Sequence, residues 1–156
     1  MLINQLKLGI HGGCMRAIDL VKRRPLVITE DRPFIEAVDL MAKENTGSVV
    51  VVEDLNSMKL RGIITERDVI RALANRLPLD TPVGKVGTMG PRVVRARVDD
   101  SVGTVASLMV NYRVRHVIVV DDEDRVVGVI SIRDLLGDLD AVREIARLDR
   151  YPKVRE

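Results

Sequence analysis

Gly62-Ile63-Ile64-Thr65-Glu66-Arg67-Asp68 returns 66 residues later as Gly128-Val129-Ile130-Ser131-Ile132-Arg133-Asp134. Each copy follows an aliphatic run and a helix-patterned segment, so the chain is an internal duplication. Upstream the match continues at an offset of 68. Val38-Asp39-Leu40-Met41 answers Ala106-Ser107-Leu108-Met109, and residues 48–52 answer 116–120. The two-residue change falls where Asp54-Leu55-Asn56-Ser57-Met58-Lys59 outlasts Asp122-Glu123-Asp124-Arg125. That composition marks a turn, and turns absorb insertions.

Both halves read in the same order. A helix-like opening segment, 15–22 or 83–89, leads to an extended piece at 25–29 or 93–98. Phe34, Ala37, Val38 and Met41 then recur at i, i+3, i+4, i+7, as do Val102, Val105, Ala106 and Met109, which predicts one apolar stripe on each of two helices. Residues 48–52 and 117–120 are unbroken aliphatic runs, suited to strands buried on both faces. Short strands at 60–64 and 126–130 follow, and each feeds a helix whose apolar face is Val69, Ile70 and Leu73 in the first copy and Leu135, Leu136 and Leu139 in the second. Residues 140–148 read as a terminal charged helix. The expected organisation is an extension (1–14), repeat 1 (15–77), a linker (78–82), repeat 2 (83–140) and a C-terminal helix and tail (141–156). The fold class is α/β, two β-α-β-β-α units of about 60 residues each. Such a unit alone buries too little surface for comfort, which favours two copies packed with pseudo-two-fold symmetry into one module.

Composition excludes several classes. Hydrophobic residues make up 46% of the 156-residue chain and charged residues 31%, a packed interior under a polar surface. With one Phe, two Tyr and no Trp, there is nothing to build a base-stacking surface for single-stranded nucleic acid. Net charge is only +2, so electrostatic capture of DNA or membrane is not the default. The one encouragement for a nucleic-acid role is that most basic residues are Arg. No apolar stretch approaches the roughly 20 residues that span a bilayer. Cys14 is the single cysteine, which precludes an internal disulfide and suits a reducing cytoplasm. His11-Gly12-Gly13-Cys14 offers two metal ligands without partners elsewhere, and His11 and His116 lie far apart, so neither a zinc site nor a thiol nucleophile with its base is suggested. Neither a Gly-x-x-x-x-Gly-Lys-Ser/Thr loop nor Gly-x-Gly-x-x-Gly is present. The reading is non-catalytic.

The repeated motif has two physical readings. Thr65 with Asp68, and Ser131 with Asp134, are spaced as an N-cap and an acidic N3 residue, and capping alone accounts for both copies. The same geometry places free amides, a hydroxyl and a carboxylate where an anion and the two hydroxyls of a ribose can dock. Gly62 and Gly128 allow close approach of backbone or ligand.

The doubled pattern closely resembles a tandem pair of cystathionine-beta-synthase-type domains, CBS domains, over roughly residues 15–140. The resemblance is carried by Thr65-Glu66-Arg67-Asp68 and Ser131-Ile132-Arg133-Asp134, the paired Leu-Met helices and Arg115-His116-Val117-Ile118-Val119-Val120-Asp121. It implies a module with two clefts that binds adenosine-containing ligands. By resemblance, Asp68 holds a ribose, with Thr65 and Arg67 beside it. In these clefts between the repeats the base rests against the opposite repeat's entry strand near Val94, Arg95, Ala96 and Ile118, and Arg115 and His116 face the phosphates. The mirror cleft uses Asp134, Ser131 and Arg133 with Val27, Ile28, Thr29 and Ser48. Because Gly47-Ser48 stands where the second repeat has Arg115-His116, the clefts are expected to differ, the Asp68 cleft preferring phosphorylated ligands.

The implied function is a regulatory module, free of cofactor and metal, that binds AMP, ADP or ATP, signals occupancy by a change of shape and forms a homodimer stacked through its helical faces. S-adenosylmethionine or methylthioadenosine as ligand, and a ligand-free dimerisation scaffold, are the alternatives; a nucleic-acid-associated protein ranks below them.

Overall fold

The computed structural model describes residues 14–154, which divide into two compact units. The Asp68 unit is built on residues 25–93, with 124–126 joined to it; the Asp134 unit comprises 94–123 and 127–154 together with residues 14–24.

In the Asp68 unit, β1 (Val27–Thr29), α1 (Phe34–Glu44), β2 (Ser48–Val52), β3 (Leu60–Thr65) and α2 (Glu66–Ala74) are followed by a helical turn, α3 (Val83–Val86), and a short strand, β4 (Thr88–Met89). The sheet order is β1-β2-β3-β4. β1 runs parallel to β2 and β3 antiparallel to it, with Ser48 opposite Thr65. All five positions of β2 are buried, as its unalternating Ser-Val-Val-Val-Val sequence requires. Phe34, Ala37, Met41, Val49, Val51, Ile64 and Val83 share one core. The β2–β3 turn is set by Asp54, whose carboxylate accepts from the Asn56 and Ser57 amides at 2.8 and 2.7 Å and from the Ser57 hydroxyl at 2.7 Å. Those bonds, the Ser57 amide first, hold the Asp54 carboxyl below its ordinary range. The two additional residues of repeat 1 sit in this turn.

The Asp134 unit repeats the plan with β5 (Arg95–Arg97), α4 (Val102–Tyr112), β6 (His116–Val120), β7 (Val126–Ser131) and α5 (Ile132–Leu136), then α6 (Leu139–Ala146). Its sheet order is β5-β6-β7, with β5 parallel to β6. Val102, Val105, Ala106, Met109, Val117, Val119, Ile130 and Leu135 form its core.

The compact units do not follow the sequence repeats at their opening segments. The helical turn Ala17–Leu20 that opens repeat 1 lies in the Asp134 unit, and α3 and β4, which open repeat 2, lie in the Asp68 unit. The exchange is symmetrical to the hydrogen bond. Ala17 and Ile18 donate to the Asp100 and Val98 carbonyls at 2.7 and 3.1 Å, and their repeat partners Val83 and Gly84 donate to Arg32 and Glu30 at 2.8 and 2.9 Å. Isolated bridges join Arg16 to Ser101 and Pro33 to Pro82. Periodicity locates each helix but carries no information on which copy it joins.

This exchange explains the motif glycines. A Cβ on Gly62 would collide with Met89 Sδ and stand 2.6 Å from the Thr88 carbonyl oxygen. One on Gly128 would collide with Val21 Cγ1 and stand 2.9 Å from Cγ2. Met89 and Val21 both lie in the exchanged opening segments, so each glycine makes room for one of them. The expected apolar face of the motif helices is partly open: Ile70 and Leu136 are 66% and 64% exposed and Leu73 is exposed, whereas Leu135 is buried; Leu139, expected on the same face, instead opens α6, because the motif helix ends at Gly137.

Candidate functional site

The strand order brings each motif to the end of its own sheet. In the Asp68 unit, β3 ends at Thr65, the N-cap of α2. Asp68 Oδ2 accepts from the Thr65 amide at 2.9 Å and from the Thr65 hydroxyl at 3.0 Å. The first amide of α2, on Glu66, donates to the Gly47 carbonyl at 3.1 Å, which draws Gly47 and the start of β2 against the cap. The Asp134 unit is built alike. Asp134 Oδ2 accepts from the Ser131 amide at 2.7 Å and the Ser131 hydroxyl at 2.8 Å, and the Asp134 amide donates back to Ser131 Oγ at 3.2 Å. The Ile132 amide donates to the Arg115 carbonyl at 2.9 Å. Both copies are therefore capping boxes, and the first helical amide of each is already bonded, so the amides expected to be free there are fewer by one.

The caps leave functional groups over. Both contacts to each aspartate converge on Oδ2; among the described residues no hydrogen bond reaches Oδ1 of Asp68 or Asp134. Asp68 is buried, 7% exposed, and Asp134 is half-buried. Arg67 and Arg133, one position before each aspartate, are exposed. Arg115 is also exposed, and among the described residues no carboxylate pairs with Arg67, Arg115 or Arg133.

The candidate residues group by repeat. Arg115 and His116 lie in the unit of Asp134, with Arg115 bonded next to its cap, and Ser48 lies in the unit of Asp68, opposite Thr65. Val94, Arg95, Ala96 and Ile118 likewise belong to the Asp134 unit, and Val27, Ile28 and Thr29 to the Asp68 unit.

Several candidates are placed by packing. Ile28 and Ala96 are buried in their units' cores, and Val94 packs against one. Arg95 stands opposite Ile118 in the sheet register, two positions along from His116. Thr29 pairs with Val52, four positions from Ser48 on the same strand, or roughly 13 Å. Its hydroxyl donates to Asp31 Oδ1 at 2.6 Å, and that bond lowers the Asp31 carboxyl below its ordinary value. Thr29 is thus committed to a turn away from the cap. Val27, which pairs with Val50, is nearer the site end. What sequence reading missed is the main chain at Gly47 and Arg115, whose carbonyls receive the first helical amides; their signal was the position just before the aliphatic runs.

The chemistry at the two ends is unequal. A hydroxyl, a buried carboxylate, one arginine, Gly47 and Ser48 make up the Asp68 end. The Asp134 end has a hydroxyl, a carboxylate, Arg133, Arg115 and His116, groups that can donate to phosphate oxygens. Gly12, Gly13 and His11 lie outside the described residues, as do residues 1–13 of the expected extension; Cys14 is exposed. Among the described residues, no three His, Cys, Asp or Glu gather as a metal site, and no helix is long and apolar enough to cross a membrane.

The CBS domain family model matches residues 17–75 and 83–152. Among similar proteins, an uncharacterised 17.7 kDa protein of Acidianus ambivalens is 35% identical over 109 residues, which cover 70% of this chain and 63% of that one. The mitochondrial CBS domain-containing protein CBSX3 of Arabidopsis thaliana is 32% identical over 127 residues, 79% of this chain and 61% of that one. The match thus spans less than two thirds of either relative. Among solved structures, CBS domain protein PAE2072 from Pyrobaculum aerophilum, complexed with AMP, is 31% identical with a TM-score of 0.80, covering 86% of this chain and 100% of that one. The CBS domain pair of protein MJ0100, in complex with methylthioadenosine and S-adenosylmethionine, is 30% identical with a TM-score of 0.71 and covers 80% and 95%. The chain belongs to the CBS domain family and carries two copies of that domain in tandem.

Proposed function

We propose that the chain is a non-catalytic regulatory module that binds adenosine-containing ligands at the Ser131–Asp134 and Thr65–Asp68 ends, and that the Asp134 end takes the phosphorylated ones, AMP, ADP or ATP. The observation that carries this reading is the hydrogen bond from Ile132 to the Arg115 carbonyl, which holds the Arg115 main chain against the first turn of α5; among the described residues Arg115 has no carboxylate partner and the capping Asp134 has no bond to Oδ1. Ribose hydroxyls donate to Asp134 Oδ1, and Arg115, His116 and Arg133 receive the phosphate. The complexes of the PAE2072 protein with AMP and of the MJ0100 pair with adenosyl ligands support the ligand class.

The Asp68 end, with Gly47 and Ser48 in place of Arg115 and His116, suits an adenosine derivative without phosphate, methylthioadenosine being the obvious representative. Occupancy is read out as a population shift, which needs a different affinity for two shapes. The exposed Ile70 and Leu73, with Leu136 in the other copy, support a homodimer formed through the motif helices, and a cytoplasmic setting belongs to the same reading.

Thermal-shift titration with AMP, ADP, ATP, S-adenosylmethionine, methylthioadenosine and inorganic phosphate tests it, because a ligand that binds only the folded state raises the melting temperature. AMP is expected to stabilise the wild type, and Asp134→Ala to abolish more of that shift than Asp68→Ala. No shift with any adenosine compound leaves the aspartates as helix caps and the protein as a scaffold.

A further inference from the structure

We infer that residues 139–154 form a detachable strap over α4, and that its docking is coupled to the Ser131–Asp134 end of the same unit; the coupling, though not the strap itself, bears on the ligand reading given above.

The strap has a made seat. α4 and α6 pack together, and beyond α6 the chain passes over Gly103, where an added Cβ would stand 3.0 Å from Leu148 Cδ1 and 3.3 Å from Pro152 Cγ. The repeat equivalent of Gly103 is Ile35, and that of Ser107, one turn further on the same face, is Asp39. Ser107 is fully buried while Asp39 is exposed. Repeat 2 thus carries small residues on this face where repeat 1 carries Ile35 and Asp39.

The cover is held lightly. Ala141 is its one fully buried apolar side chain, Ile145 and Val154 pack partly against the core, and Leu139, Leu148 and Tyr151 are exposed. Few buried contacts place a segment at the low-stability end of a fold. Closure also carries a cost, since Ser107 Oγ, on the same face of α4 as Gly103, is buried without a hydrogen-bond partner among the described residues, and an unsatisfied buried hydroxyl opposes the state that buries it. Two polar tethers work the other way. Glu144 Oε1 accepts from the Met15 amide at 2.7 Å, and Lys22 pairs with Asp138 at 3.2 Å. A segment with a shaped seat, a penalty for closing and tethers to hold it shut is balanced between two positions.

Coupling follows from covalent continuity. Five residues of α5 separate Ser131 from Gly137, roughly 7.5 Å of helix. Asp138, the N-cap of α6 and partner of Lys22, is next. A rigid turn this short moves as one piece, so whatever fixes its first turn at Asp134 also fixes the base of the strap.

Amide hydrogen exchange of residues 139–154 in the full-length protein, alone and with AMP, tests the inference. Ser107→Ala is expected to slow strap exchange about tenfold by removing the buried hydroxyl's penalty. Gly103→Ile, which installs the residue of repeat 1, should release the strap while α4 core amides stay protected, and Asp134→Ala should speed strap exchange without ligand. AMP should slow it in the wild type. Strap amides that exchange only as fast as those of β6, or no slowing in Ser107→Ala, overturn the strap. If calorimetry shows AMP bound while strap exchange is unchanged by both AMP and Asp134→Ala, the coupling is refuted and the binding reading survives. If AMP fails to bind yet Asp134→Ala speeds the strap, the binding reading falls and the coupled strap stands.

Discussion

Gly128→Ala should destabilise the protein by overpacking, because the methyl has nowhere to go. It would overlap Val21 Cγ1 and lie 2.9 Å from Cγ2 and 3.2 Å from Cβ. Val21 is fully buried, with its amide bonded to the Ile18 carbonyl at 3.2 Å, and a β-branched side chain has few alternative rotamers. Overpacking of this kind costs about 1–3 kcal/mol. At about 2 kcal/mol, and with a melting entropy of about 2.1 cal/mol/K per residue over 156 residues, the midpoint should fall by about 6 °C. Thermal denaturation followed by far-ultraviolet circular dichroism measures this. The double variant Gly128→Ala with Val21→Ala should recover part of the loss, since the new methyl then occupies the vacated space, giving a coupling of about 1 kcal/mol or more. A single variant that melts within about 1 °C of wild type, or a double variant whose losses simply add, would refute the packing argument. If the glycine instead admitted ligand, alanine would weaken AMP binding at an unchanged melting temperature.

Other expectations follow from the same contacts. Arg115→Ala should raise the AMP dissociation constant about tenfold to a hundredfold, the worth of a hydrogen bond to a charged group, while leaving adenosine binding nearly unchanged; isothermal titration of both ligands separates the two effects. Ser131→Ala removes an N-cap and should cost about 1 kcal/mol in urea denaturation. The Ala141 amide and then Lys22 hold the Asp138 carboxyl below its ordinary value, so its contribution is present above the unfolded pKa near 3.9 and is lost as pH falls through the lower folded value. The stability gap between wild type and Asp138→Ala should accordingly narrow as urea midpoints are taken from pH 6 down to about pH 3. A fragment of residues 25–93 contains the whole Asp68-unit core and should show dispersed amide resonances, whereas residues 15–77, which follow the sequence repeat but lack Val83 and β4, should not.

Much of the fold could be read directly. The aliphatic runs became β2 and β6, the i, i+3, i+4, i+7 stripes became α1 and α4, and both motifs became capping boxes, since each depends on neighbours within about seven residues. What could not be read depends on partners far along the chain. Val21 and Met89 sit in their local patterns equally well whichever unit they join, and only the pairing of Ala17 with Asp100 and of Val83 with Arg32 assigns them. The site suffered from the same blindness. Thr65, Ser131 and the two aspartates were found by spacing alone, but the bonds that draw the Gly47 and Arg115 main chain against the caps are long-range. The open apolar faces of α2 and α5 were hidden for another reason: periodicity identifies an apolar stripe, and nothing in it states whether the chain itself covers that stripe.

The exchange of opening segments also orders events during synthesis. Residues 14–24 emerge first, yet Ile18, Leu20 and Val21 are buried only against residues that follow position 93. The Asp68 unit, nearly contiguous in the chain, can close while they wait. At about 5–20 residues per second, the roughly 60 residues still to come take about 3–12 s. Throughout that interval a short stretch whose Ala17, Ile18, Leu20 and Val21 have no core to enter, tethered to a folded neighbour, is exposed to solvent, a substrate for a holding chaperone. The first core residues the ribosome makes are among the last the fold can use.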